Sequence, residues 1–103
     1  MNAQLGEVVA AHRDGTYLFR LSGEFDLSNA WQIRDVLLEA IHTGDGDIVV
    51  DLVRVRFLDA QLLHSLLRAQ AAAARLEIGF VIVPPRDPGV WRVARLVDFP
   101  LAA

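Results

Sequence analysis

The segment from Asp47 to Arg75, with the strand that follows it, constrains the fold more than any other part of the chain. Ile48–Leu52 is a short apolar run rich in β-branched residues, which is typical of a strand buried on both faces of a sheet. A helix rich in leucine and alanine is predicted from Ala60, and a second apolar strand is predicted at Phe80–Val83. Strand, helix and strand over this length predict two parallel strands joined by a right-handed crossover. In open α/β sheets, partners usually bind where a strand passes into a helix, here at Leu58–Gln61.

The preceding residues predict a hairpin followed by a helix. Val8–His12 and Thr16–Gly23 are predicted to be antiparallel strands, because the Asp14-Gly15 pair between them is a strong hairpin signal. Ser28 is the predicted N-cap of a helix from Asn29 to about His42. The apolar residues that fall on one face of this helix are Ala30, Ile33, Val36, Leu37, Ala40 and Ile41, and Trp31 and Leu38 widen that stripe.

The end of the chain predicts a third helix. Prolines break the pattern after the fourth strand, and Asp87 is a predicted cap for a helix that has Pro88 in its first turn and continues over Gly89–Val97. The order of elements is β-β-α-β-α-β-α. It predicts an α/β fold with a four-stranded mixed sheet and helices packed on it. A length of 103 residues is enough for one compact domain and too short for two, so we expect a single domain over residues 1–103.

Composition excludes several functional classes. The net charge of −3 argues against direct nucleic-acid binding, because phosphate recognition needs a basic face. The chain has no cysteine, and therefore neither a disulfide nor a thiolate metal site. We expect no membrane insertion, because no apolar run approaches the roughly 20 residues that span a bilayer. The first seven residues lack the features of a signal peptide, so the predicted location is the cytoplasm.

Few residues are candidates for chemistry. Asp26 and Asp59 both follow predicted strands, and two carboxylates at one sheet edge could hold Mg²⁺, as in receiver domains. The alternative is a loop acid and a helix cap. A receiver would also need an acidic cluster after its first strand and a lysine, and the chain has neither. His12, His42 and His64 lie on different predicted elements, which does not predict a metal site.

Three segments carry a resemblance to a known family. Leu21–Leu27 reads L-S-G-E-F-D-L after the second predicted strand. Val49–Leu52 reads V-V-D-L and is followed by Val55 and by Phe57–Asp59. Phe80–Pro84 is the strand before the last helix. In this order they resemble the L-x-G-E-L-D, V-V-D-L-x-x-V-x-F-L-D and last-strand segments of the STAS domain, the fold of bacterial anti-sigma-factor antagonists, and they cover almost the whole chain.

The resemblance also implies a functional position. In the family, a serine directly after the motif aspartate is phosphorylated by a partner kinase that is also the anti-sigma factor. Here Asp59 matches the aspartate, but Ala60 stands at the serine position, and Gln61 and Leu62 replace the next hydroxyl residue and the glycine. Because Ala60 has no hydroxyl, this chain cannot be switched by phosphorylation at that position. Ser65 is about 500° of helical rotation further on and is no substitute.

The resemblance implies a non-enzymatic protein that binds an anti-sigma factor with serine kinase activity, or another signalling protein. No cofactor or metal is predicted, and a second copy of the chain is a further candidate partner. The predicted partner-binding segments are Glu24–Leu27 and the start of the second helix. The individual residues are Glu24, Phe25, Asp26, Asp59, Ala60, Gln61, Leu62, His64 and Arg68.

Two other functions remain as alternatives. The first is a STAS accessory subunit of an ABC-type transporter or of a larger signalling assembly. The second, an enzyme or a Mg²⁺-dependent receiver, finds little support, because the chain has neither a glycine-rich nucleotide loop nor a nucleophile elbow.

Some predicted contacts also have structural alternatives. The face of the second helix that carries His64, Arg68 and Arg75 is either a solvated face or a contact stripe for an acidic partner. Leu62 is either part of an exposed hydrophobic patch or a core contact. The two tryptophans, at positions 31 and 91, are predicted to pack in the core or between helices.

Overall fold

A computed structural model describes residues 6–26 and 28–96, without the side chains of residues 93–96. The predicted α/β class and order of elements are confirmed. The strands are β1 Glu7–Arg13, β2 Thr16–Phe25, β3 Asp47–Leu58 and β4 Phe80–Val83. The helices are α1 Ala30–Thr43, α2 Ala60–Arg75 and α3 Pro88–Leu96. Two residues of the predictions, Leu27 at the docking segment and Val97 at the end of α3, lie outside the described residues.

The four strands form one sheet in the order β1-β2-β3-β4. β1 and β2 are antiparallel, as predicted, and are joined by Asp14 and Gly15 with φ angles of 53° and 75°. Positive φ at both positions is typical of a type I′ turn, whose twist matches that of the flanking strands and which glycine adopts without strain. β2, β3 and β4 are parallel neighbours, so the predicted βαβ unit from β3 through α2 to β4 is also confirmed.

One face of the sheet carries the core. Phe19, Val50 and Ile82 lie side by side across β2, β3 and β4, and each is at most 8% exposed. The buried side chains that the two long helices add to them are Ile33, Leu37, Ala40, Ile41, Leu62, Leu63, Leu66, Ala69 and Ala73. Burial of each large side chain in this layer stabilises the fold by about 1.5–3 kcal/mol. The layer therefore fixes which faces of α1 and α2 remain for other contacts.

The opposite face is more exposed, and the prediction that β3 is buried on both faces is wrong. Val49, Asp51 and Val53 of β3 are only half-buried. Arg20 of β2 forms an ion pair with Asp51 across the two strands, with Nε 3.5 Å from Oδ2. Val81 of β4 is 56% exposed. An apolar β-branched run fits a strand buried on both faces and a strand buried on one face, so its composition alone could not distinguish the two.

The start of α1 also differs from the prediction. Asn29, not Ser28, is the N-cap residue, and its side chain makes no capping bond to the helix. Instead, its Oδ1 accepts from the N–H of Asp26 at 2.9 Å, and its Nδ2 donates to the carbonyl of Glu24 at 3.0 Å. Asn29 is only 9% exposed, so these bonds satisfy a largely buried amide. Its side chain thereby fastens the end of β2 to the start of α1.

The predicted caps of the other two helices are confirmed. Asp59 Oδ1 accepts from the N–H of Gln61 at 2.7 Å, and Asp87 Oδ1 accepts from the N–H groups of Gly89 and Val90 at 2.8 and 3.2 Å. A carboxylate at this position also interacts favourably with the helix dipole. Within the described residues, none of the helices combines the length and apolar character needed to cross a bilayer.

Substitution of Leu66 by alanine should lower the free energy of unfolding by about 2–5 kcal/mol, because a buried leucine leaves a cavity when it is truncated. Leu66 has 0% exposure. Leu76→Ala is the matched control, since it removes the same atoms from a side chain that is 60% exposed, and it should cost less than about 1 kcal/mol. Chemical denaturation measures both losses, and equal losses would contradict this assignment of the core.

Candidate functional site

The predicted docking segments meet where β2 and β3 end. Phe25 and Leu58 are the last register pair of these parallel strands. The N–H of Asp59 donates to the carbonyl of Phe25 at 3.1 Å. The chain leaving β2 and the N-terminus of α2 therefore lie side by side, and the structure brings Glu24–Asp26 together with Asp59–Gln61 at one corner of the sheet.

The side chains at this corner differ in their exposure. The exposed ones are Asp26, Gln61, His64 and Arg68, and the half-buried ones are Glu24, Asp59 and Ala60. Phe25 and Leu62 are 0% and 2% exposed. Both belong to the core. They pack beneath the corner and expose almost no surface to a partner. Of the two interpretations of Leu62, the core contact is correct, and an acidic substitution there would disrupt folding.

The carboxylate of Asp26 is held by its own loop. Its Oδ1 accepts from the hydroxyl of Ser28 at 2.5 Å and from the N–H of Ser28 at 2.8 Å. These two bonds, the hydroxyl bond first, hold the pKa of Asp26 below its usual value. The corner therefore presents a charged carboxylate in a defined position at neutral pH.

The two aspartates each have a local structural role. Asp26 and Asp59 both accept a backbone N–H from the residue two positions further along the chain, which is the geometry of an Asx turn. Across residues 6–26 and 28–96, no three histidine or acidic side chains come together in a way that could hold a metal ion. The geometry thus matches the interpretation of a loop acid and a helix cap.

A groove between α1 and α2 extends the corner along the two helices. It has a volume of about 220 Å³ and is lined by Ile33, Arg34, Leu37, Leu38, Leu62, Ser65, Leu66, Arg68 and Ala69. An adjoining depression places Trp31 and Arg34 of α1 opposite Gln61 and Ser65 of α2. Gln61, Leu62 and Arg68 of the predicted contact residues therefore share a continuous surface with α1, a helix that the sequence did not indicate for binding.

Trp31 and Leu38, which widen the apolar stripe of α1, are exposed, so the prediction of a core position for Trp31 is wrong. Trp31 is 52% exposed and Leu38 is 50% exposed. The indole Nε1 of Trp31 donates to the carbonyl of Ser28 at 3.2 Å, which orients the ring above the loop. The seven-residue spacing of these two residues puts them on one helix face, and this spacing was the sequence signal for the second surface. Trp91 is half-buried, and its indole N–H donates to the carbonyl of Pro85.

The ionisable side chains of α2 are all basic. The helix contains His64, Arg68 and Arg75, all of them exposed, and no acidic residue. Arg34 of α1 lies across the groove, and its Nε is 3.9 Å from an oxygen of Asp35, which partly offsets its charge. The groove is thus an apolar surface with a basic rim.

Comparison with protein families identifies this architecture. The family model described as "Mlab, STAS domain" matches residues 8–99. The chain belongs to the STAS domain family. A search of curated proteins found no significant match.

Solved structures share the fold of this STAS domain. An anti-sigma factor antagonist from Mycobacterium paratuberculosis is 27% identical, with a TM-score of 0.76 over 94% of this chain and 85% of that one. The unphosphorylated form of the anti-sigma factor antagonist SpoIIAA is 23% identical, with a TM-score of 0.76 over 94% and 89% of the two chains. The phosphorylated form of Bacillus SpoIIAA is 21% identical, with a TM-score of 0.71 over 94% and 92%. At these identities, the two SpoIIAA structures show the fold alone.

Substitution of Ser28 by alanine should raise the pKa of Asp26 toward the usual value of about 3.9, because it removes the largest cause of the lowered pKa. NMR titration of the Asp26 carboxyl carbon measures the change. Since the folded-state pKa lies below that of the unfolded chain, the bond stabilises the fold above about pH 4 and its contribution is lost as the pH falls through the folded-state pKa.

Ser65→Ala is the control for this titration. The Ser65 hydroxyl donates to the carbonyl of Gln61 at 3.1 Å, so its removal should leave the pKa of Asp26 unchanged. Equal pKa values for Asp26 in the wild type and in Ser28→Ala would contradict the assigned cause.

Proposed function

We propose that this STAS domain is a non-enzymatic regulator that binds an anti-sigma factor in the cytoplasm. The proposed docking surface consists of the corner and the α1–α2 groove, with Trp31, Arg34, Leu38, Asp26, Gln61, His64 and Arg68 as its exposed residues. The observation that carries the proposal is a half-exposed tryptophan beside a basic helix, at the corner where the resemblance predicts partner contacts. The 27% identity to an anti-sigma factor antagonist supports the choice of partner.

The chemistry of the docking surface favours a partner that combines apolar and acidic side chains. Tryptophan and arginine are the residues that most often dominate binding energy at protein interfaces. Leu38, which is 50% exposed, gives the groove an apolar contact, and Arg68 at its rim can pair with a carboxylate. We therefore propose that an amphipathic segment of the partner, with acidic residues beside its apolar face, occupies the groove.

The proposed regulator lacks the usual phosphorylation switch. Ala60 is half-buried in the first turn of α2 and has no hydroxyl. The nearby hydroxyls of Ser28 and Ser65 donate to Asp26 and to the carbonyl of Gln61. A phosphate at position 60 would add about −1.5 to −2 charges beside the basic rim and alter the contact. Without it, the docking surface is proposed to stay competent for binding at all times.

A STAS accessory subunit of an ABC-type transporter or of a larger assembly is the second candidate. One observation favours it: Ala60 removes the residue on which an antagonist's switch depends. The same docking surface would then contact a transport ATPase or another subunit permanently. The two candidates differ in the partner and not in the surface.

Capture of the partner from native cytoplasmic extract, followed by mass spectrometry, tests both candidates. An anti-sigma factor with a kinase domain supports the first, and components of an ABC transporter support the second. With the purified partner, Trp31→Ala and Arg68→Glu should each weaken binding about tenfold or more, because each removes a central contact. Arg86→Glu is the control, since it makes the same charge change at an exposed residue outside the docking surface. Full affinity in both groove variants would contradict the proposed docking surface.

Introduction of a hydroxyl or of a charge at position 60 tests the loss of the switch. Ala60→Ser should become a substrate of the captured kinase, whereas the wild type should take up no phosphate at this position. Ala60→Asp should weaken partner binding modestly, because one carboxylate carries less charge than a phosphate. Phosphate transfer measured by intact mass, and affinity measured by calorimetry, give the two results. Incorporation of phosphate into the wild-type α2 N-terminus would overturn the proposal.

A further inference from the structure

The outer edge of β1 is open in the described part of the chain. β1 lies at the end of the sheet and pairs only with β2, and six of its seven residues are exposed. Proteins usually guard such edges with proline, lysine, a bulge or a very short strand. The other edge strand, β4, is only four residues long. β1 contains neither proline nor lysine and pairs with β2 in an uninterrupted register, so it has none of these protections.

The hairpin turn determines which residues of β1 present hydrogen-bonding groups to the open edge. Arg13 and Thr16 flank the two-residue turn and therefore form the hydrogen-bonded kind of antiparallel pair. The alternation along an antiparallel ladder then directs the backbone of every second residue toward β2. The N–H and C=O groups of Val8, Ala10 and His12 consequently point toward the open edge.

The charges of β1 are arranged so that the strand complements itself. Glu7 is its first residue and Arg13 its last. When two copies of β1 are antiparallel and centred on Ala10, Glu7 of each copy lies opposite Arg13 of the other. The ion pairs found among the described residues are Arg20–Asp51 and Arg34–Asp35, so both terminal charges of β1 remain for such a contact.

We propose that β1 pairs with β1 of a second copy to form a homodimer with a continuous eight-stranded sheet. The pairing is isologous, as a two-fold axis perpendicular to the sheet requires. Val8, Ala10 and His12 form about six backbone hydrogen bonds with their counterparts in this register. Glu7 and Arg13 fall on the pairs without hydrogen bonds, where opposite side chains approach more closely. The chemistry that selects the partner is thus an identical strand with opposite charges at its two ends.

The faces of the two sheets match in this register. Positions 7, 9, 11 and 13 are paired among themselves, and so are positions 8, 10 and 12, so each residue faces the same side of the sheet as its counterpart. Val9, which is 54% exposed, lies opposite Ala11 of the second copy and loses apolar surface to water. A register shifted by one residue would place core-side and outer-side residues opposite each other, and it would also separate the charges.

The dimer leaves the α2 side of the docking surface accessible. β1 and β4 are at opposite edges of the sheet, and α2 contacts β4. Two copies joined through β1 therefore present two α2 surfaces to one partner assembly. Such a bivalent regulator would bind a dimeric partner more tightly than a single copy does. The dimerisation itself requires no partner and is tested on the chain alone.

Analytical ultracentrifugation with charge reversals tests the register. The wild type should dimerise, and Glu7→Arg and Arg13→Glu should each raise the dimer dissociation constant about tenfold, because each places like charges opposite each other at two symmetric positions. The double variant Glu7→Arg, Arg13→Glu should restore the wild-type constant. Arg86→Glu changes the same charge away from β1 and should have no effect. A monomeric wild type at all concentrations, or a double variant no better than the single ones, would overturn the proposal.

Hydrogen exchange of the wild type gives an independent test that no substitution can confound. The amides of Val8, Ala10 and His12 should gain protection as the protein concentration rises through the dissociation constant. The amides of Val9 and Ala11 already point toward β2 and should exchange at the same rate throughout. Concentration-dependent protection of all five amides, or of none, would show that β1 is not the dimer contact.

Discussion

The parallel pairing of β2 with β3 is the constraint on which the rest of the structure depends. Parallel neighbours cannot be joined by a tight turn, so α1 must cross the sheet between them, and α2 must do the same between β3 and β4. Both helices cover the face that carries Phe19, Val50 and Ile82. Both also start from the edge at which the parallel strands end. The corner formed by the end of β2 and the start of α2 follows directly from this topology.

Packing of the core then determines which side chains are exposed at the corner. Phe25 and Leu62 lie at its centre and are both buried, since the space between the sheet and the two helices must be filled. The exposed apolar surface is instead provided by Trp31 and Leu38, on a face of α1 that the sheet does not cover. Phe25 and Leu62 therefore stabilise the corner from within the core, while Trp31 and Leu38 offer the surface for a partner. A partner in the groove would touch α1 as much as the first turn of α2.

Hydrogen bonds within short loops order the corner. Asn29 ties α1 to the end of β2, Asp26 binds Ser28, and Asp59 caps α2. Each of these side chains satisfies backbone or hydroxyl donors that would otherwise be unpaired at a chain reversal. Pre-organised loops of this kind reduce the entropy lost on binding. This suits a surface proposed to be permanently ready for its partner.

The sequence by itself determined the order of the elements, the hairpin at Asp14-Gly15, the βαβ unit and the caps Asp59 and Asp87. These features depend on residues close together in the chain, so turn chemistry and periodicity are sufficient to predict them. Only the tertiary structure decided that Leu62 is buried and that Trp31 is exposed. Helical spacing identifies which residues share a face, but burial depends on which face the sheet and the neighbouring helix cover. Contacts between segments far apart in the chain decide which face is covered, and local sequence patterns carry no information about those contacts.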